Sequence, residues 1–202
     1  MDYRQPLDYD LFKVLPAKKV ENVNQCDITY NNVNLSIRTP RVKLQDNSII
    51  FKTHNKQCFM DFITNLELNV VNYLYANSTD IFNGKKFSFE KIKTSITPSL
   101  IVSEDGSIAS LEITELDNIK CFNPFGDEIS RDEIGKYVSA KLDITSIVFK
   151  KDLFKIIYQV SMVKMSKVEK NKIEEFQQVE TKNQLVVRQA EVSEEITTGD
   201  FY

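Results

Sequence analysis

Between Ala140 and Met162 the chain alternates apolar and polar positions with a period of two. Ala140, Leu142, Ile144 and Val148 fall on one side, and Lys141, Asp143 and Thr145 on the other. After Lys150-Lys151-Asp152, Phe154, Ile156, Tyr158, Val160 and Met162 alternate with Lys155, Gln159 and Ser161. Successive side chains of a strand point to opposite faces. The pattern therefore predicts two long antiparallel strands joined by a tight turn, one face buried and the other facing water.

Shorter strands are predicted upstream. Gln25 to Tyr30 and Val33 to Thr39 flank Asn31-Asn32, a pair that tolerates the positive φ of a hairpin turn. Arg41 to Leu44 and Ile49 to Lys52 read as a second hairpin, and Ile96 to Val102 with Ile108 to Thr114, around Glu104-Asp105-Gly106, as a third. Gln57 to Ile63 reads as a buried strand and Asn118 to Phe122 as another. The period changes over Asn65 to Ala76, where Leu66, Val70, Tyr73 and Leu74 recur at helical spacing, predicting a helix of about three turns. Phe87 to Ile92 fits a short strand or a helical turn. Ser130 with Glu133 has the form of a capping box. About eight or nine strands and one good helix make a mainly β (α+β) domain, most simply an antiparallel barrel or sandwich.

Composition agrees with one such domain and an appendage. Of 202 residues, 42% are hydrophobic and 27% charged, close to ordinary globular values. Met1 to Met165 holds 21 Lys+Arg against 21 Asp+Glu, so the whole formal charge of −3 comes from Ser166 to Tyr202, with 5 against 8. Residues 1–165 are the β-rich domain of this reading. Residues 166–202 are a polar tail, acidic and disordered at its end because it has too little apolar surface to offset ordering entropy. A protein that coats nucleic acid through a globally basic body is excluded; a neutral body with a local basic face is not.

Chemistry narrows the field further. Cys26, Cys58 and Cys121 are scattered and His54 is the only histidine, which leaves no zinc-ligand spacing. The cysteines read as small core residues. No nucleotide-binding or nucleophile motif is present, so no enzyme, no cofactor and no metal site are expected. Unpaired cysteines, the absence of a signal-like N-terminus and the lack of a long apolar run suit an intracellular protein without a membrane span.

Single-stranded nucleic acid is held by cations that follow phosphates and by aromatic faces on which bases stack. Three segments supply both. Arg38, Arg41 and Lys43 cluster at a hairpin corner; Lys85, Lys86 and Phe87, with Phe89 and Lys91, follow a turn; and Phe149, Lys150 and Lys151 form the last hairpin tip, with Lys141 and Lys155 on the adjoining outward face. Phe87 and Phe149 are the candidate stacking residues. The tail adds Glu194, Glu195, Asp200, Phe201 and Tyr202, an acidic segment with an aromatic end suited to a basic groove or to partner proteins.

The stretch from about Asp27 to Met165 resembles a single-stranded DNA-binding protein family of nucleocytoplasmic large DNA viruses. The resemblance lies in Val33 to Pro40, Ile81 to Lys86, Phe89 to Ile92, Ile96 to Leu100, Ile119 to Asn123 and the closing strand pair. It implies an oligonucleotide-binding (OB) type core and a non-enzymatic role on single-stranded DNA in viral replication, recombination or repair, in the host cytoplasm or at a viral replication site. Replication or recombination proteins would be the tail's partners, with self-association left open. The rival readings are a virion structural protein (minor capsid or scaffold component) and an adaptor that binds protein alone.

Overall fold

The structure is a computed structural model, and it describes residues 1–166 apart from Asn22, Asp46 and Lys151. These residues belong to one unit, Met1–Ser166; the tail, with Glu194, Glu195, Asp200, Phe201 and Tyr202, lies outside them.

Strands β1 (Phe12–Val14), β2 (Lys18–Val20), β3 (Val23–Tyr30), β4 (Leu35–Arg38), β5 (Val42–Gln45) and β6 (Ser48–Lys52) come first. Helices α1 (Gln57–Ala76), α2 (Ser78–Ile81) and α3 (Phe89–Ser95) follow, then β7 (Leu100–Val102), β8 (Ile108–Glu112), β9 (Thr114–Phe122), β10 (Tyr137–Lys150) and β11 (Leu153–Met165). The fold is mainly β and OB-like, with one long helix.

The alternating pair is the spine. β10 and β11 are antiparallel from Lys150↔Leu153 to Val138↔Met165. The other edge of β10 is shared in turn by β5 at Tyr137↔Lys43, β4 at Lys141↔Arg38 and β3 at Phe149↔Asn24. β3 carries β1 and β2, while β6, β8 and β7 extend the sheet beyond β5. β9 lies parallel along the far edge of β11.

Two compensating bulges bend the spine. The register shifts between Lys141 and Leu142 set Ser161 as the extra residue of β11, and those between Ile144 and Ser146 set Thr145 as the extra residue of β10. Each bulge exchanges the two faces of its strand. Simple alternation therefore misplaces two residues: Ile147 and Val163 are buried, whereas Val148 and Met162 are only half-buried.

Local chemistry explains the other departures. Asn31 and Asn32 do make a left-handed turn, with φ of 52° and 61°. β3 and β4 nevertheless form no ladder with each other, Tyr30↔Val33 being an isolated bridge at the turn, since both lie end to end along β10. The strand expected at Gln57 to Ile63 is instead the start of α1. Phe59, Phe62, Ile63, Leu66, Val70 and Leu74 are buried on one helical stripe, and a short apolar run reads equally as strand or helix. Lys56 makes no side-chain cap, so nothing in the local sequence marks the helix start. Cys58 falls on the exposed side of α1, while Cys26 and Cys121 are buried.

The helix is tied to the spine by a polar chain that is buried at Tyr158 and Ser99 and half-buried at Glu67. The Tyr158 hydroxyl donates to Ser99 Oγ at 2.9 Å, and the Ser99 N–H donates to Glu67 Oε1 of α1 at 2.5 Å. Among the described residues no helix is long and apolar enough to cross a membrane.

Candidate nucleic-acid interface

At the β10–β11 turn the core side of the sheet opens into a groove of about 750 Å³. Its floor is aromatic. Phe82 meets Phe87 edge to face with ring centroids 5.1 Å apart, and Phe149 stands 5.7 Å from Phe154 at 38°. Phe82, Phe87 and Phe149 are half-buried, so part of each remains open to the groove, and Phe154 is buried.

The rim is cationic. Lys18 and Lys19 come from β2, Lys85 from the loop after α2 and Lys91 from α3, with Asp152 as the acid among the lining residues. Two turn devices place the middle of this rim. Asn83 and Gly84 have φ of 53° and 83°, which reverses the chain directly after α2, where the Lys85 N–H donates to the Phe82 carbonyl at 3.2 Å. Ser88 then caps α3 by accepting the Lys91 N–H at 3.2 Å, orienting a helix that buries Ile92 and leaves Lys91 exposed. Lys18 is ion-paired with Asp27. Cations around a low-dielectric floor focus positive potential into the cleft.

The structure brings together only part of the sequence-derived set. Lys85, Phe87 and Phe149 line the groove. Lys86 and Lys150 are exposed next to lining residues, and Lys151 lies outside the described residues. Lys155 is on the outward side of β11, where its ammonium is 2.5 Å from Glu112 Oε2. Arg38, Arg41, Lys43 and Lys141 gather elsewhere, at the far end of β10. Arg38 and Lys141 are register partners. Lys141 is 3.5 Å from Asp143 Oδ1, Lys43 Nζ donates to Gln45 Oε1 at 2.7 Å, and the Arg41 guanidinium sits 4.9 Å from the Tyr137 ring centroid. At the rise of an extended strand, Lys141 and Phe149 are roughly 26 Å apart. The described cations of the set thus fall into two groups, at opposite ends of β10.

No family model matches this chain, and no curated protein does. Among solved structures, the single-stranded DNA-binding protein from bacteriophage Enc34 superposes with a TM-score of 0.43 at 12% identity, covering 76% of this chain and 89% of that one. Its C-terminal truncation gives 0.43 at 12%, covering 78% and 95%. The same phage protein in complex with ssDNA gives 0.38 at 11%, covering 78% and 97%. The viral family suggested by the sequence finds no matching model.

Sequence reasoning missed Lys18, Lys19 and Phe82 as groove residues. β2 is three residues long, too short for alternation to register, and the Lys18-Lys19 pair was its one visible mark. Phe82 had a signal: an apolar pair directly before Asn83-Gly84 has to bury itself where the chain reverses. Chemically the groove suits a ligand with alternating anionic and flat apolar parts. Phosphates meet the lysine rim while bases reach the phenylalanine floor.

Proposed function

We propose that this protein binds single-stranded DNA without acting on it chemically, in support of viral DNA replication, recombination or repair. One observation carries the reading: Lys19, Lys85 and Lys91 surround a floor of Phe82, Phe87 and Phe149 in a single groove. A duplex buries its bases and presents only edges, whereas a single strand exposes the faces that such a floor can take. The neutral charge of residues 1–165 favours a local cleft over broad coating of a duplex.

In this reading the acidic tail regulates the groove or recruits partner proteins through Asp200, Phe201 and Tyr202. Its charge is opposite to that of the rim, so it competes with phosphate for the same lysines.

The test is a fluorescence-anisotropy titration with labelled oligo-dT at two salt concentrations, using the full chain and a chain ending at Met165. Binding is expected at low salt, weaker at high salt because bound phosphates release counterions, and tighter once the tail is gone. Absence of binding by both chains at low salt would sink the proposal.

A further inference from the structure

β7 ends its side of the sheet, paired with β8 alone among the described residues. The pairing is antiparallel, with Leu100↔Leu111, Ile101↔Ser110 and Val102↔Ala109. Just beyond it in the same register, the Ser103 N–H donates to the Ile108 carbonyl at 2.9 Å. Hydrogen-bonded and non-hydrogen-bonded pairs alternate along such a ladder. Ile101 and Ser110 are therefore the next bonded pair. The N–H and C=O groups of Leu100 and Val102 are turned the other way, toward the open edge.

This edge lacks the protection that the others have. The remaining strands with a ladder on one side only all carry charge: Lys13 in β1, Lys18 and Lys19 in β2, Arg38 in β4 and Lys120 in β9. Charged side chains and short strands keep sheet edges from pairing with other chains. β7 is Leu-Ile-Val, short but without a charge. It is also apolar where it meets water. Ile101 is 66% exposed, and Val102 and Ile108 are 45% exposed each. Ile101 and Ile108 share the outward face of the sheet, because Ile108 lies two residues from Ser110, the register partner of Ile101.

We infer that β7 pairs antiparallel with β7 of a second copy of this chain, with Ile101 on the two-fold axis. The free backbone groups set that register: Leu100 of each copy faces Val102 of the other, and each such pair exchanges N–H···O=C bonds in both directions. Ile101 then occupies the closer, non-bonded position between them, where its exposed side chain meets its own counterpart beside Ile108. Charge agrees with self-pairing. No ionised side chain lies on β7, and Glu104 just past it falls opposite Pro98, so like charges do not meet. The contact uses the same patch on both copies and closes at a dimer. So short a strand buries less than the roughly 1,200 Å² of stable interfaces, which makes the dimer weak and concentration-dependent. Its consequence for DNA rests on the single-stranded DNA reading above: a dimer offers two grooves, and a strand long enough to enter both is held by the tether between them.

The test is sedimentation of the DNA-free full chain over a wide concentration range, beside Ile101→Lys and Ile101→Glu. The unmodified chain is expected to shift from monomer to dimer as concentration rises. Each variant alone should stay monomeric, because it sets like charges about 4.5 Å apart at Cα across the axis. An equimolar mixture of the two should regain the dimer, a rescue that only a contact between the two copies of residue 101 can give. Thermal melts verify folding, and the position is exposed. With oligo-dT of about 8 and about 40 nucleotides, within one OB-fold site and several times it, Ile101→Lys should weaken the longer strand and leave the shorter one unchanged. A chain that stays monomeric at every concentration overturns the inference and leaves the edge to a strand of other origin. Dimerisation that persists in both variants, or a mixture that fails to restore it, overturns it as well by placing the contact elsewhere. Ile101-dependent dimers in a chain that binds no oligonucleotide would sustain this inference while removing the groove reading.

Discussion

Phe149 and Phe82 meet edge to face, with ring centroids 5.5 Å apart and planes at 90°. The contact fastens the end of β10 to the residue that follows α2, and so joins the two segments that supply the groove's floor. Phe87 joins the same cluster through Phe82. The two rings that the sequence offers as stacking residues are thus part of one aromatic assembly. A double-mutant cycle of Phe82→Leu and Phe149→Leu in urea unfolding is expected to show a coupling of about 0.5–1.5 kcal/mol, the usual worth of such a pair beyond its buried area. Strict additivity would mean that the rings are mere neighbours.

Lys85 and Lys91 come from different elements but share one rim, so their charges should act on one ligand. Lys85→Glu and Lys91→Glu are each expected to reduce oligo-dT affinity at low salt. Removing a cation that neutralises one phosphate flattens the slope of log affinity against log salt by about 0.7. Lys155→Glu should matter much less, since that ammonium already faces Glu112. Salt titrations of the three variants give the comparison, and an equal loss at Lys155 would argue against the groove.

Tyr158 is a buried link between the sheet and α1. Removing its hydroxyl in Tyr158→Phe strips Ser99 of a donor and is expected to cost about 1 kcal/mol in chemical denaturation. Burial is the main influence on this phenol and pushes its pKa up; the Ser99 hydrogen bond lowers it and Glu67 raises it. The raised folded value means that the neutral form belongs to the folded state. Its contribution is complete below the ordinary tyrosine pKa of about 10 and fades as pH rises beyond it. Alkaline unfolding monitored by circular dichroism should therefore be displaced upward in Tyr158→Phe relative to its own neutral-pH stability.

The three cysteines should separate cleanly by reactivity. Cys58 is exposed on α1. Burial, with Asp27 adding to it, pushes the buried Cys26 thiol up to about 11, so it holds little thiolate near neutral pH. A disulfide-exchange reagent at about pH 8 is expected to modify one thiol quickly in the native protein, and Cys58→Ser should abolish that phase. Rapid labelling of Cys26 without unfolding would contradict its packing.

Much of the framework was legible because strand alternation is a local signal. The β10–β11 pair, the β5–β6 hairpin, the turn at Gly106 and the capping box at Ser130 all depend on residues close in sequence, and all are present. The helix start at Gln57 was not legible. Lys56 offers no cap, and Phe59, Phe62 and Ile63 satisfy either period over so short a run. The bulges were invisible for another reason. Thr145 and Ser161 are unremarkable in sequence, and their displacement is decided by partners on neighbouring strands.

The binding surface divides along the same line. Which residue types were available could be read from the chain alone: lysines beside Phe87 and Phe149, arginines around Pro40, and a body whose charges balance. Those are properties of composition and short spacing. Which of them share a ligand is a matter of the folded arrangement. Lys18 and Lys19 join Lys85 because β2 and the loop after α2 converge on one end of β10, while Arg38 and Lys141 are carried to its other end and opposite face. That choice depends on pairing between strands more than a hundred residues apart in sequence, such as β4 with β10, and no periodicity within a single segment encodes it.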